Sequence, residues 1–135
     1  MSRSGYSDDC WNEGLGWLYR QAVENSINGI RGQKFLRELI ETLDAMPKKE
    51  LVSGEFVTEE GECCALGSVA IRREWEDPEF INSENHGRLG KDFDIAPCLV
   101  AEVEYINDDE DYWRESPSER WSRVRRWAVQ QLKES

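Results

Sequence analysis

Asp108-Asp109-Glu110-Asp111 is the densest run of carboxylates in the chain, and Tyr112-Trp113 follows it directly. Clustered carboxylates suit two kinds of chemistry. They can hold a hard cation such as calcium or magnesium, or they can meet a cationic protein surface in the manner of a row of phosphates. The run lacks the Asp-x-Asp-x-Asp-Gly spacing and the closing glutamate of a calcium loop, so the metal reading gives way to a solvated, electrostatic one. Glu102, Glu104 and Glu115 lie close in sequence and extend the negative stretch. Tyrosine and tryptophan are enriched at interface hot spots. Asp108, Asp109, Glu110, Asp111, Tyr112 and Trp113 are therefore the expected partner-binding residues.

Catalytic chemistry has less behind it. A base that titrates near neutrality, an activated nucleophile or a metal would each leave a mark. The single histidine, His86 in "NSENHGRLG", reads as an exposed loop residue. Cys10, Cys63, Cys64 and Cys98 have neither CxxC metal spacing nor the pattern of a secreted disulfide framework, and read as buried, reduced thiols. Gly29-Ile30-Arg31-Gly32 and Gly87-Arg88-Leu89-Gly90 miss the phosphate-binding GxGxxG and GxxxxGK patterns. Arg31, Gln33 and Lys34 stand at a helix start, where such side chains can hold an anion with help from the helix dipole. A cleft completed by Tyr6, Ser7, Asp8 and Asp9 would take a nucleotide or phosphate. The competing reading makes Arg31 and Lys34 structural, pairing with neighbouring carboxylates. No catalytic residue, metal or cofactor is expected.

The elements that must position these residues are mainly helical. A first helix is expected from Asp9 or Asn12, with Leu15, Leu18, Ala22 and Ile27 inward, stopping at Asn28-Gly29 through a left-handed glycine. A second begins near Ile30, where Phe35, Leu36, Leu39, Ile40, Leu43 and Met46 form one apolar stripe, and Pro47 ends it. "LVSGEFVT" and "ECCALGSVAI" admit a small hairpin, but a short strand or irregular segment feeding a helix is preferred. Residues 74 to 94 read as a long excursion with one helical turn around 89 to 93. Pro97 opens a helix with Leu99, Val100, Val103 and Ile106 inward, ending at Asn107. Ser116-Pro117-Ser118-Glu119 is a capping box with proline at the first helical position. The helix it starts carries Trp121, Val124, Ala128 and Leu132 inward and an outer basic face of Arg120, Arg123, Arg125, Arg126 and Lys133. The expected fold is a compact bundle of about four to five helices with at most a short β-hairpin, in one domain spanning residues 1–135.

Bulk properties narrow the partners. The chain has 135 residues, 39% of them hydrophobic and 33% charged, and six are tryptophan, which is too rich in core formers for a disordered chain. Seventeen Lys and Arg against 28 Asp and Glu give a net charge of −11, which repels nucleic acid and anionic membranes and attracts basic partners. The N-terminal sequence lacks the apolar stretch of a signal peptide and no run is long enough to span a membrane, so a cytoplasmic location is expected.

The segments "SRSGYSDDC", "RGQKFLREL", "LDAMPKKEL", "CALG", "IND" and "SPSERWSRVRRW" together resemble small hypothetical proteins of tailed bacteriophages and prophages. The resemblance covers most of the chain outside residues 74 to 94, and its motifs carry no assigned chemistry. It implies an accessory protein acting in the bacterial host. The resulting expectation is a non-enzymatic acidic protein that binds a basic host protein or nucleoprotein complex, as an anti-CRISPR or other anti-defence inhibitor. Two alternatives are a phage protein that self-associates through its Arg120/Arg123/Arg126 face, and a small-ligand-binding protein or enzyme built on the Arg31 turn.

Overall fold

The stripe from Phe35 to Leu43 is the axis of the core. A computed structural model describes residues 15–75, 86–108 and 115–133, and in it Phe35, Leu36, Leu39 and Leu43 are buried along helix α2, Ile30–Ala45. Around α2 pack α1 (Leu15–Asn28), α3 (Ala65–Arg72) and α6 (Pro117–Gln131). Helix α5 (Pro97–Asp108) packs on α1 and α3, and α4 (His86–Phe93) packs on α5. The described residues thus form a mainly helical fold of six helices, slightly more than expected, with no strand longer than a single bridge. One continuous apolar cluster joins all six helices, through residues such as Val23, Leu36, Leu66, Leu89, Val100 and Val124. Each fully buried aliphatic side chain of this kind contributes about 1.5–3 kcal/mol relative to leaving it in water.

The turn between α1 and α2 consists of Gly29 alone. The first helix stops where the sequence places its stop, but Gly29 is extended (φ −75°, ψ 167°) rather than left-handed, and serves as the N-cap of α2. Gly32 is the residue that permits the sharp reversal. A Cβ there would lie 1.9 Å from the Ser26 carbonyl oxygen, inside any tolerable contact. The inward face of α1 differs in part from expectation: Ile27 is buried as expected, but Val23 is buried with it, whereas Leu18 and Ala22 are exposed. Tyr19, Val23 and Ile27 repeat at intervals of four, so the apolar stripe is rotated from the Leu18/Ala22 line. The expected start at Asp9 or Asn12 lies outside the described residues.

Residues 51 to 64 form an irregular segment with one antiparallel bridge, Val57 to Cys63, and turns at Gly54 (φ 83°) and Gly61 (φ 86°). It feeds α3 without becoming a hairpin. The Cys64 thiol caps α3 by accepting from the Gly67 amide at 3.4 Å, and the Cys64 N–H donates to the Phe56 carbonyl at 3.0 Å. Gly67 lies so close to that same carbonyl that a Cβ would come within 1.8 Å of its oxygen.

In the excursion, α4 is a helix of two turns, longer than the single turn expected at 89 to 93. Leu89 and Phe93 enter the core, and Phe93 meets Phe35 edge-on at 5.7 Å. The polar sequence between them conceals a strong amphipathic period. His86 is accordingly no exposed loop residue: it is half-buried at the start of α4, with its Nε2 3.1 Å from the Glu104 carboxylate on α5. The final helix starts as expected, with both hydrogen bonds of the Ser116–Glu119 capping box formed.

Candidate docking surface

Asn107 and Asp108 end α5 side by side and face different tasks. The Asn107 amide donates to the Val52 carbonyl at 2.9 Å and accepts from the Ala65 amide at 3.0 Å, locking the irregular segment and α3 onto α5. Asp108 accepts from the Asn107 side chain at 2.8 Å and from the Gly54 amide at 3.2 Å. The first carboxylate of the expected acidic run therefore rests on the 51–64 segment. Asp109, Glu110, Asp111, Tyr112 and Trp113 lie outside the described residues.

The segment that Asp108 touches is itself acidic. Glu55, Glu59, Glu60 and Glu62 are exposed along it, and none forms an ion pair among the described residues. Glu50, just before it, pairs with Lys48 at 3.2 Å. Lys49 turns the other way, donating to the Asp44 and Met46 carbonyls at the end of α2 and lying 5.6 Å from the Trp121 ring centre. Beside this acidic edge runs a half-open groove of about 320 Å³ between the end of α2, the irregular segment and α3. Met46, Pro47, Val52, Cys63 and Ile71 form its apolar lining, and the charged residues along it are Glu50, Glu60, Glu62 and Lys48. Ser68 also lines it, with its hydroxyl donating to the Ala65 carbonyl at 2.6 Å. Sequence reasoning passed over this groove. No sequence signal marked it: Ile71 ends an apolar run as a core residue would, and only the structure shows it 45% exposed on a helix whose other face is buried.

The basic helix distributes its charge differently from the expected outer face. Arg120 is buried, donating to the Asn107 and Leu51 carbonyls at 3.1 and 3.3 Å. Arg123 is only 14% exposed and clasps Glu115 with two hydrogen bonds of 2.7 and 3.0 Å. Arg125 holds Asp44 on α2, and this bond draws the Asp44 carboxyl below the ordinary aspartate range. The Arg120/Arg123/Arg126 face is thus not a continuous outward surface. Arg120 lies on the buried face with Val124 and Ala128, because residues four apart share a helical face.

The Arg31 turn also divides. Gln33 is buried and its side chain is fully engaged: Nε2 donates to the Ile27 and Gln131 carbonyls at 2.8 and 2.9 Å, and Oε1 accepts from the Lys133 amide at 2.8 Å. It ties the end of α1 and the end of α6 to α2. Arg31 and Lys34 point outward, and Arg31 meets Asp94 at 3.3 Å. The three side chains do not converge on a common point. Tyr6, Ser7, Asp8 and Asp9 lie outside the described residues.

Of the thiols, Cys63 and Cys64 are buried and unbridged, and Cys98 is half-buried with its sulfur 3.2 Å from the Ser26 hydroxyl. Burial pushes the Cys63 thiol up to about 11 and Cys64 up to about 12, which favours the protonated form of both near neutrality. Cys10 lies outside the described residues. No group of His, Cys, Asp or Glu side chains able to hold a metal occurs among the described residues, and no described helix is long and apolar enough to cross a membrane. The chain matches no protein-family description, no curated protein and no solved structure.

Proposed function

We propose that this chain is a non-catalytic docking protein that presents an acidic surface to a basic protein, in the setting of a phage accessory factor acting on a host complex that handles nucleic acid. One observation carries the reading. The Asp108 carboxylate is seated on the Gly54 amide, so the Asp108–Asp111 run begins on the same 51–64 segment that carries Glu55, Glu59, Glu60 and Glu62, none of which forms an ion pair among the described residues. Carboxylates without an ion-pair partner among the described residues, set along one segment of a chain of net charge −11, generate a strong local field, and such fields accelerate and select encounters with oppositely charged partners. A protein whose own groove binds phosphates offers the complementary surface, which is why an inhibitor of a nucleic-acid-dependent defence complex is the favoured role.

The test is affinity capture from host lysate at graded salt, with short duplex DNA as competitor. Wild type is expected to retain a nucleic-acid-binding complex that duplex DNA displaces. A variant with Asp109→Asn, Glu110→Gln and Asp111→Asn, and a second with Glu59→Gln, Glu60→Gln and Glu62→Gln, are expected to lose retention and its salt dependence. Retention that is indifferent to both sets of substitutions and to DNA overturns the reading.

A further inference from the structure

Resting on the docking reading above, we propose that the groove between the end of α2 and α3 receives one large apolar side chain from a lysine- or arginine-rich segment of the partner. Three observations lead there. The groove has the volume of a small-ligand site, about 320 Å³, and its lining is mostly apolar. Ile71 leaves nearly half of its surface in water at the groove wall, although the residues before it on α3, from Ala65 to Ala70, are all buried. The charged lining is mainly acidic: Glu50, Glu60 and Glu62 outnumber Lys48, which pairs with Glu50 at 3.2 Å, and Glu60 and Glu62 have no cationic partner among the described residues.

The chemistry of the lining selects against a polar guest. The Ser68 hydroxyl already donates to a backbone carbonyl. The Cys63 thiol stays neutral for want of hydration. Neither therefore calls for a hydrogen-bonding group from a ligand. An aliphatic or aromatic side chain displaces water from Met46, Pro47, Val52 and Ile71 and gains from burial. Its neighbours in the partner chain then lie over Glu60 and Glu62, where a lysine or arginine gains a charge partner and an acidic residue is repelled. The groove thereby supplies selectivity that a bare acidic patch lacks. A partner segment must carry an apolar residue between basic ones.

The experiment is a methyl and amide NMR titration of the isotopically labelled full chain with capped pentapeptides. One has a central leucine flanked on each side by two lysines, a second has serine in place of the leucine, and a third keeps the leucine but replaces the lysines by serine. The leucine–lysine peptide is expected to bind about tenfold more tightly than the serine–lysine peptide, the gain of burying one aliphatic side chain in part. Its largest shifts are expected at the methyls of Met46, Val52 and Ile71. Ile71→Ser, on an exposed position that leaves the core intact, is expected to bring the two affinities together without changing the salt dependence of the serine–lysine peptide. Equal affinity of both lysine peptides for wild type overturns the groove and leaves acidic docking standing. Failure of both lysine peptides to bind at low salt overturns both readings. Binding of the uncharged leucine peptide as tight as that of the charged one overturns the basic partner. A concentration-dependent dimer in sedimentation, dissolved by Ile71→Ser, makes the occupant a second copy and likewise overturns it.

Discussion

Two charged regions meet at the end of α5, and they are opposites. On one side, Glu115, Arg120 and Arg123 form a largely buried knot with the Asn107 and Leu51 carbonyls, where the guanidinium groups meet a carboxylate or a backbone acceptor. On the other, Glu55, Glu59, Glu60 and Glu62 lie in water without a cation among the described residues. Adjacent residues divide the two: Asn107 belongs to the knot and Asp108 to the acidic edge. The contrast shows how to read charge in a chain as rich in it as this one. Charges out of water must be satisfied and so serve the fold, whereas charges left in water cost little and are free to serve recognition.

The contrast yields graded expectations. Arg120→Met keeps the length and removes the charge, stranding the Leu51 carbonyl and one side of Glu115. It is expected to cost about 3 kcal/mol in urea unfolding, as loss of one member of a buried charged network does. A cost near that of a surface substitution would show the knot to be dispensable.

Intermediate between the two regions is Glu38 on α2, which binds Arg73 through both carboxylate oxygens. The Arg73 hydrogen bond holds the Glu38 carboxyl below its ordinary 4.5. A lowered folded value means that the pair's stabilisation is complete above the unfolded value and is lost as pH falls through the folded one. Glu38→Gln is therefore expected to destabilise by about 1 kcal/mol at neutral pH. Its unfolding free energy should converge with wild type as the pH drops below 4.5; a difference that persists into acid would refute the assignment.

Ser116→Ala removes one of the two capping-box hydrogen bonds that start α6 and is expected to cost about 1 kcal/mol, read as a fall in the thermal midpoint. The smallest effect belongs to the acidic edge. The triple substitution Glu59→Gln, Glu60→Gln and Glu62→Gln is expected to leave stability within about 0.5 kcal/mol of wild type while weakening attachment to a basic partner. If it instead unfolds the chain, the acidic edge belongs to the structure and the contrast between the regions fails.

The helices that were plain in sequence owe their legibility to local physics. The Phe35–Leu43 stripe, the Pro47 stop and the Ser116–Glu119 capping box each depend on residues within a turn or two, and all three appear in the structure. The α4 helix was shorter in the sequence reading because its glycines and charges mask the pairing of Leu89 with Phe93. The sequence pattern places Gln33 with Arg31 and Lys34 as an anion ligand, but in the structure it is a clamp, because its three hydrogen-bond partners come from Ile27, Gln131 and Lys133, two of them about a hundred positions away.

Residue types alone settled the helical class, the positions of the main stops and starts, and the acidity that any partner must answer. Those properties follow from side-chain periodicity, backbone chemistry and summed charge, none of which needs a third dimension. Tertiary structure decided which charges are buried and which are free. It turned Arg120 into the core, set Asp108 on Gly54, and opened the groove beside Ile71. A groove is the space left where three separately encoded segments fail to close over one another, and no single segment carries the pattern of what the others leave uncovered.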